Sequence, residues 1–242
     1  MVDLDRRLVD LYDEDNPDGP DHDFWRGLAD RIDARRIVDL GCGTGILTVT
    51  LAGVDRDVLG VDPSATMLDA ARRRPGSGSV SWVLGDSRDV PGEPRDLALM
   101  TGNVAQHIGD GAWQRTLRDL RSVLVPGGTV AFESRNPGVR AWEAWTSDGR
   151  STRLTAAGPL EEWSEATEIA PGVVRLVASN RFVDTDETLV YREDLRFRGH
   201  DELVHDLGVA GFEAVEVFGD WQRGPFREGS PTMVVVGSAA AD

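Results

Sequence analysis

The run Val38-Asp39-Leu40-Gly41-Cys42-Gly43-Thr44-Gly45 constrains the fold more than any other stretch of this chain. The apolar residues in 36–40 read as a strand, and the apolar run 46–51 reads as a helix. Three glycines turn the backbone between them. Glycine adopts conformations closed to other residues and lets a ligand come close to the main chain. The helix N-terminus that follows offers free N–H groups and the positive end of a dipole. Strand, glycine turn and helix in that order suit a nucleoside-bearing ligand. Spacing narrows the choice. A dinucleotide fingerprint has the form G-x-G-x-x-G, whereas here Gly41 and Gly43 are followed by Gly45, and Ile46 takes the last position.

Further strands are predicted at 57–62, 79–84, 96–100 and 129–133, alternating with helical patterns. The first ends at Asp62, about 20 residues beyond the glycine turn, where an acidic residue can take both hydroxyls of a ribose. Pro63-Ser64 then opens a helix through Met67 and Leu68, with Ser64 as N-cap. The second ends in Gly85-Asp86-Ser87, and the third runs into Thr101-Gly102-Asn103-Val104-Ala105-Gln106-His107. Ligands of open α/β sheets bind outside the carboxyl ends of the strands. Asn103 and His107 are therefore candidates for the reacting end of the site, or else a turn former and a helix-surface residue. A helix at 110–124 and the turn Val125-Pro126-Gly127-Gly128 lead into the fourth strand, which ends Glu133-Ser134-Arg135-Asn136. Arg135 falls on the rim of the same cleft, where a guanidinium can bind a carboxylate or phosphate through two hydrogen bonds. A structural ion pair is the other reading.

The glycine string, the phrase Gly60-Val61-Asp62-Pro63-Ser64-Ala65-Thr66-Met67 and the strand-ending Gly85-Asp86 resemble, in order, motifs I, II and III of the class I S-adenosylmethionine (SAM)-dependent methyltransferases. The resemblance spans about residues 36–135 by motif. It implies an α/β fold: a three-layer α/β/α Rossmann-like sandwich whose seven-stranded, mostly parallel sheet has an antiparallel last strand. It also implies SAM as cofactor and S-adenosyl-L-homocysteine as product. Carried over residue by residue, it assigns Asp39, Gly41, Cys42, Gly43, Asp62, Pro63, Met67, Gly85, Asp86, Ser87, Thr101 and Asn103 to the cofactor. Within that set Asp62 holds the ribose, Met67 packs on adenine, and Asp86 and a neighbouring backbone N–H meet the adenine edge. Asn103, His107 and Arg135 are assigned to the transfer itself. Members that methylate adenine or glutamine amides carry an Asn/Asp-Pro-Pro-aromatic tetrad directly after the strand at 96–100, and this chain does not.

Residues 1–35 are expected to form an N-terminal helical cap. Leu4, Leu8 and Leu11 recur at helical spacing, and Tyr12-Asp13-Glu14-Asp15-Asn16-Pro17-Asp18-Gly19-Pro20 is read as a break. The segment 12–25 is therefore expected to be a mobile loop, with Tyr12 closing over the cofactor or lying in a plain extension. The core is assigned to 36–137. Residues 138–198 leave the alternation: a short helix at 139–145, then extended runs at 160–169, 173–183 and 188–197 separated by turn signals. They read as a small antiparallel β insertion, roofing a substrate pocket or forming a dimer surface. Residues 199–242 complete the core sheet with a helix at 201–209 and strands at 212–218 and 232–237.

With 40% apolar residues in 242, the chain can bury a core, and no window approaches the ~18 apolar residues of a membrane span. Residues 1–10 are charged and lack an apolar signal core, so a cytoplasmic location is expected. The net charge of −16 disfavours nucleic acid as a partner, and a small-molecule acceptor is expected, the protein being a monomer or homodimer. Cys42, the single cysteine, is read as a small packing residue. No metal is expected. Two other functions stay open: a non-catalytic SAM-binding partner or regulatory protein, and an NAD(P)-dependent oxidoreductase on the same sheet.

Overall fold

The computed structural model describes residues 3–147 and 149–241; Met1, Val2, Asp148 and Asp242 lie outside them. Two helices come first, α1 (Arg6–Asp15) and α2 (Pro20–Arg31). The core then alternates β1 (Arg36–Leu40), α3 (Thr48–Leu51), β2 (Asp57–Asp62), α4 (Ala65–Arg73), β3 (Val80–Leu84), β4 (Arg95–Met100), α5 (Val104–His107), α6 (Asp110–Val123) and β5 (Leu124–Arg135). An insertion of four strands follows, β6 (Ser151–Thr155), β7 (Gly158–Ala170), β8 (Val173–Phe182) and β9 (Glu187–Arg196). The chain returns through α7 (His200–Val209), β10 (Phe212–Phe218) and β11 (Thr232–Ala239).

The main sheet has seven strands in the order β10-β11-β5-β4-β1-β2-β3. The pairs from β5 to β3 are parallel, and β11 runs antiparallel to both β5 and β10. Side chains alternate across a strand, so Ile37, Leu97, Leu99 and Ala131 pack beneath Phe24, Trp25 and Leu28 of α2. On the other face Val38, Leu59, Ala98 and Phe132 pack against Trp113 and Leu117 of α6 and Leu203 of α7. This is the expected three-layer sandwich. Burying a large apolar side chain such as Trp25 or Trp113 stabilises by about 1.5–3 kcal/mol. Among the described residues no helix is long and apolar enough to cross a membrane.

Several boundaries differ from expectation. The helix α1 runs through Tyr12 to Asp15, so the expected loop shrinks to 16–19. Asp5 caps α1 by accepting the Arg7 N–H, and the Asn16 N–H closes the other end on the Tyr12 carbonyl at 2.9 Å. The apolar run 46–51 is helical only over Thr48–Leu51. The expected helix at 139–145 is two short 3-10 turns, Pro137–Val139 and Ala141–Ala144, separated by Arg140 at φ 49°. The insertion has a fourth, unexpected strand, β6, pairing along β7 in the order β6-β7-β8-β9. The Pro126-Gly127-Gly128 turn lies inside β5, where the pairing with β4 jumps from Arg95–Leu124 to Leu97–Thr129.

Candidate active site

The glycine turn leaves the end of β1 with Gly41, Gly43 and Gly45 all at positive φ (78°, 54° and 73°). Space as well as conformation requires glycine here. A β-carbon at Gly41 would lie 2.4 Å from the Val104 side chain, and one at Gly45 would lie 2.6 Å from Trp82. The N–H groups of Gly41 and Cys42 donate to the Val61 carbonyl at 2.7 and 3.1 Å, and that of Gly43 donates to Asp62 at 2.8 Å. These three donors of the turn itself are already used. The turn serves a ligand by close approach.

Asp62 closes β2 and is buried, accepting from the Gly43 and Ser64 N–H groups at 2.8 Å each. Burial pushes its carboxyl above the usual range, while those two bonds hold it down. Asp39, one residue before the end of β1, is 1% exposed. Its Oδ2 accepts the Thr48 hydroxyl at 2.6 Å, and its Oδ1 has no partner among the described residues. Burial pushes Asp39 up to about 6 against the Thr48 bond. Cys42 is buried in the turn and burial raises its thiol, as expected of a packing residue.

A cleft of about 230 Å³ brings together Tyr12, Asp39, Gly41, Cys42, Gly43, Thr101, Asn103 and Arg135, all anticipated from sequence. His22 and Trp221 join them, and so does Glu133, which sequence reasoning passed over as a strand-end residue. Asn103 stands at φ 61°, the left-handed region, directly before α5. Its N–H donates to Glu133 Oε1 at 2.6 Å. Arg135 is held by Gln106, to which its Nη1 donates at 3.0 Å, and its guanidinium carbon lies 5.1 Å from the centre of the Trp145 ring.

The other expected residues lie around this cleft but outside its lining. Pro63 and Met67 follow Asp62, with the Met67 side chain buried in α4. Gly85 donates its N–H to the Asp62 carbonyl at 3.0 Å, placing the end of β3 beside that of β2. The Asp86 carboxylate caps the turn Ser87–Asp89 and is forked by Arg88 at 2.9 and 2.7 Å, which holds it down to about 2. The Ser87 hydroxyl turns away to Asp119 in α6 at 2.6 Å, so its side chain does not face the cleft. His107 takes the second of its two readings, on the helix surface: its Nδ1 pairs with Glu193 of the insertion at 2.7 Å. The residues that would mark a metal centre are not clustered anywhere among the described residues.

The helix α1 covers the glycine turn. A β-carbon at Gly43 would lie 4.0 Å from the Tyr12 ring. Asp13 accepts the Thr44 hydroxyl at 2.6 Å and pairs with Arg74. On its other side α1 is tied to the insertion: Asp15 is forked by Arg153 at 2.6 and 2.9 Å, and the Asp5 N–H donates to the Tyr191 hydroxyl at 2.8 Å. A second cavity, also about 230 Å³, lies between α1 and the insertion, lined by Leu8, Leu11, Glu162, Leu176 and Glu193 among others.

Comparison with known proteins places residues 37–128 in a family described as a methyltransferase domain. Over 88% of this chain and 86% of the other, the sequence is 27% identical to the cypemycin N-terminal methyltransferase of a Streptomyces species. Matches to several further curated relatives span only 28 to 43% of those proteins. Among solved structures, the CcbJ methyltransferase of Streptomyces caelestis superposes with TM-score 0.74 at 26% identity, covering 93% of this chain and 98% of that one. A sugar N-methyltransferase from a Streptoalloteichus species superposes with TM-score 0.78 at 20% identity, covering 100% and 95%.

Proposed function

Since the chain belongs to the class I SAM-dependent methyltransferases, we propose that it moves the methyl group of SAM onto an amine nitrogen of a small molecule. The observation that carries the cofactor half is the convergence of the glycine turn, Tyr12 and the unpartnered carboxylate oxygens of Asp39 and Glu133 on one cleft. Unpaired buried carboxylate oxygens are costly, and they suit a ligand that is positively charged. SAM is such a ligand: when bound, it supplies a methyl group on a sulfonium whose leaving group is a neutral thioether.

The chain's own residues then have positional work. Gly41 and Gly43 admit the ligand close to the backbone, Asp62 at the end of β2 takes the ribose, and Tyr12 covers the turn and excludes water. Asn103 and Arg135 orient the acceptor at the end of β4 and β5. Alignment of nucleophile, methyl carbon and sulfur is the main demand, and well-oriented intramolecular reactions gain roughly 7–11 kcal/mol in this way. An acceptor amine that arrives protonated must first shed a proton to present its lone pair, and a carboxylate or water can accept it.

The second cavity shares no lining residue with the cleft, and its acids are already paired, Asp15 and Glu162 with Arg153 and Glu193 with His107, so its charge does not choose the acceptor. The names of two relatives, an N-terminal and a sugar N-methyltransferase, support nitrogen. The insertion reaches the acceptor side of the cleft through Glu193 on His107, and the segment before it through Trp145 on Arg135, which supports its reading as a roof. Incubation with methyl-labelled SAM and separate pools of amines, alcohols and carboxylic acids tests this. A labelled product from the amine pool alone is expected. Label in the other pools only would overturn the nitrogen assignment, and cofactor binding without label in any pool would favour a non-catalytic SAM-binding protein.

A further inference from the structure

We propose that Glu133 holds the ammonium group at the amino-acid end of the cofactor, a reading that rests on SAM being the ligand of the cleft. Strand register places it there. Asp39 is level with Leu99 on β4, and Leu99 is level with Ala131 on β5. Glu133 comes two residues after Ala131 and points to the same face of the sheet, the face that α2 covers. It pairs in register with Val234, another residue of that face. Asp39 and Glu133 thus flank the end of β4 on one side of the sheet, just where the apolar layer stops and the cleft begins.

The local geometry leaves one position open. Glu133 is 3% exposed. Its Oε1 is satisfied by the Asn103 N–H, and its Oε2 is buried with no partner among the described residues. The nearest cationic side chain on its strand, Arg135, spends its Nη1 on Gln106 and stacks toward Trp145. The other ionisable groups that line the cleft are Tyr12 from α1, Asp21 and His22 from the first turn of α2, Asp39 from β1 and Cys42 from the glycine turn. A buried carboxylate oxygen facing a ligand cleft is completed by a cation with N–H donors. The cofactor's α-ammonium is one. Burial, opposed by the Asn103 bond, pushes the Glu133 carboxyl up to about 7. An incoming ammonium draws it back down and expels the proton it carries near neutrality.

The test is calorimetric titration of wild type and Glu133→Gln with two ligands. S-adenosylhomocysteine retains the α-ammonium, and 5′-methylthioadenosine lacks the amino-acid end. Glutamine keeps the acceptor for the Asn103 N–H, and retained methylthioadenosine binding reports an intact fold. The expected result is S-adenosylhomocysteine affinity lowered about tenfold or more, as for loss of a charge-assisted bond, with methylthioadenosine affinity unchanged. Titrations near pH 7 in buffers of different ionisation heat should show proton release on S-adenosylhomocysteine binding in wild type and none in the variant. Equal weakening of both ligands, unchanged affinity for both, or proton uptake in wild type would overturn the proposal. Wild type that binds neither ligand would overturn the cofactor reading and this proposal with it.

Discussion

The Asp62 carboxylate accepts the N–H of Gly43 at 2.8 Å, so the end of β2 pins the glycine turn that leaves the end of β1. One side chain therefore shapes the turn beside the cleft, and the proposed function gives it the ribose as well. Bonds to a charged group are worth roughly 1.5–3 kcal/mol. Asp62→Ala is expected to weaken S-adenosylhomocysteine binding about tenfold or more, read by calorimetry on protein shown to be folded. Unchanged affinity would remove Asp62 from the site.

Arg135 is expected to act on the acceptor side. Its contacts are Gln106 and the Trp145 ring, which belongs to the segment leading into the insertion. Arg135→Ala should leave S-adenosylhomocysteine affinity close to wild type and lower methyl transfer to the acceptor at least tenfold. A large loss of cofactor affinity, or full activity, would contradict this.

The helix α1 is expected to tighten when the cofactor binds. Tyr12 lies over Gly43, Asp13 is tied to Thr44 and Arg74, and Asp15 is tied to Arg153 of the insertion. These exposed or half-exposed pairs are individually weak, so the helix can lift. Amide exchange in residues 6–16 should slow when S-adenosylhomocysteine is added. Slowing confined to the glycine turn would make α1 a static wall.

The core of this fold was legible because its signals are local. Alternating apolar runs mark the sheet, and glycines forced by positive φ mark the turn. The edge strand β6 was not legible: Ser-Thr-Arg-Leu-Thr has no buried residue and only its pairing with β7 makes it a strand. The end of α1 was misread because Asp13, Glu14 and Asp15 look like a loop, although acidic residues are tolerated in a helix whose ends are capped by Asp5 and Asn16. The cofactor motifs pointed to Asp39, Asp62 and the glycines, of which Asp39, Gly41 and Gly43 line the cleft. Glu133 carried no sequence signal: like Asp39 it is buried with one oxygen unpaired among the described residues, but unlike Asp39 it lies in no motif that marks it. His107 and Ser87 were placed near the right strands, but a sequence does not tell which neighbour a side chain turns to.

The contribution of two buried carboxyls to stability should fall as pH rises through the neutral range. Glu133 is pushed from its ordinary 4.5 up to about 7 and Asp39 from 3.8 up to about 6, in both cases chiefly by burial. At these two groups the folded state binds more protons than the unfolded state between about pH 4 and 7, so their contribution to the unfolding free energy declines with pH there and levels off above. Removing one such charge is worth on the order of 3 kcal/mol. Ligand-free Glu133→Gln should therefore melt about 5 °C or more above wild type at pH 8, with the difference vanishing near pH 4. A variant less stable than wild type at pH 8 would contradict the sign.

The identity of the ligand in the cleft underlies every one of these expectations. Titrating the wild-type protein with S-adenosylhomocysteine and, separately, with NAD measures it directly. The account predicts saturable binding of S-adenosylhomocysteine, one per chain, and no heat from NAD. Binding of NAD in preference, or no binding of S-adenosylhomocysteine by folded protein, would contradict it.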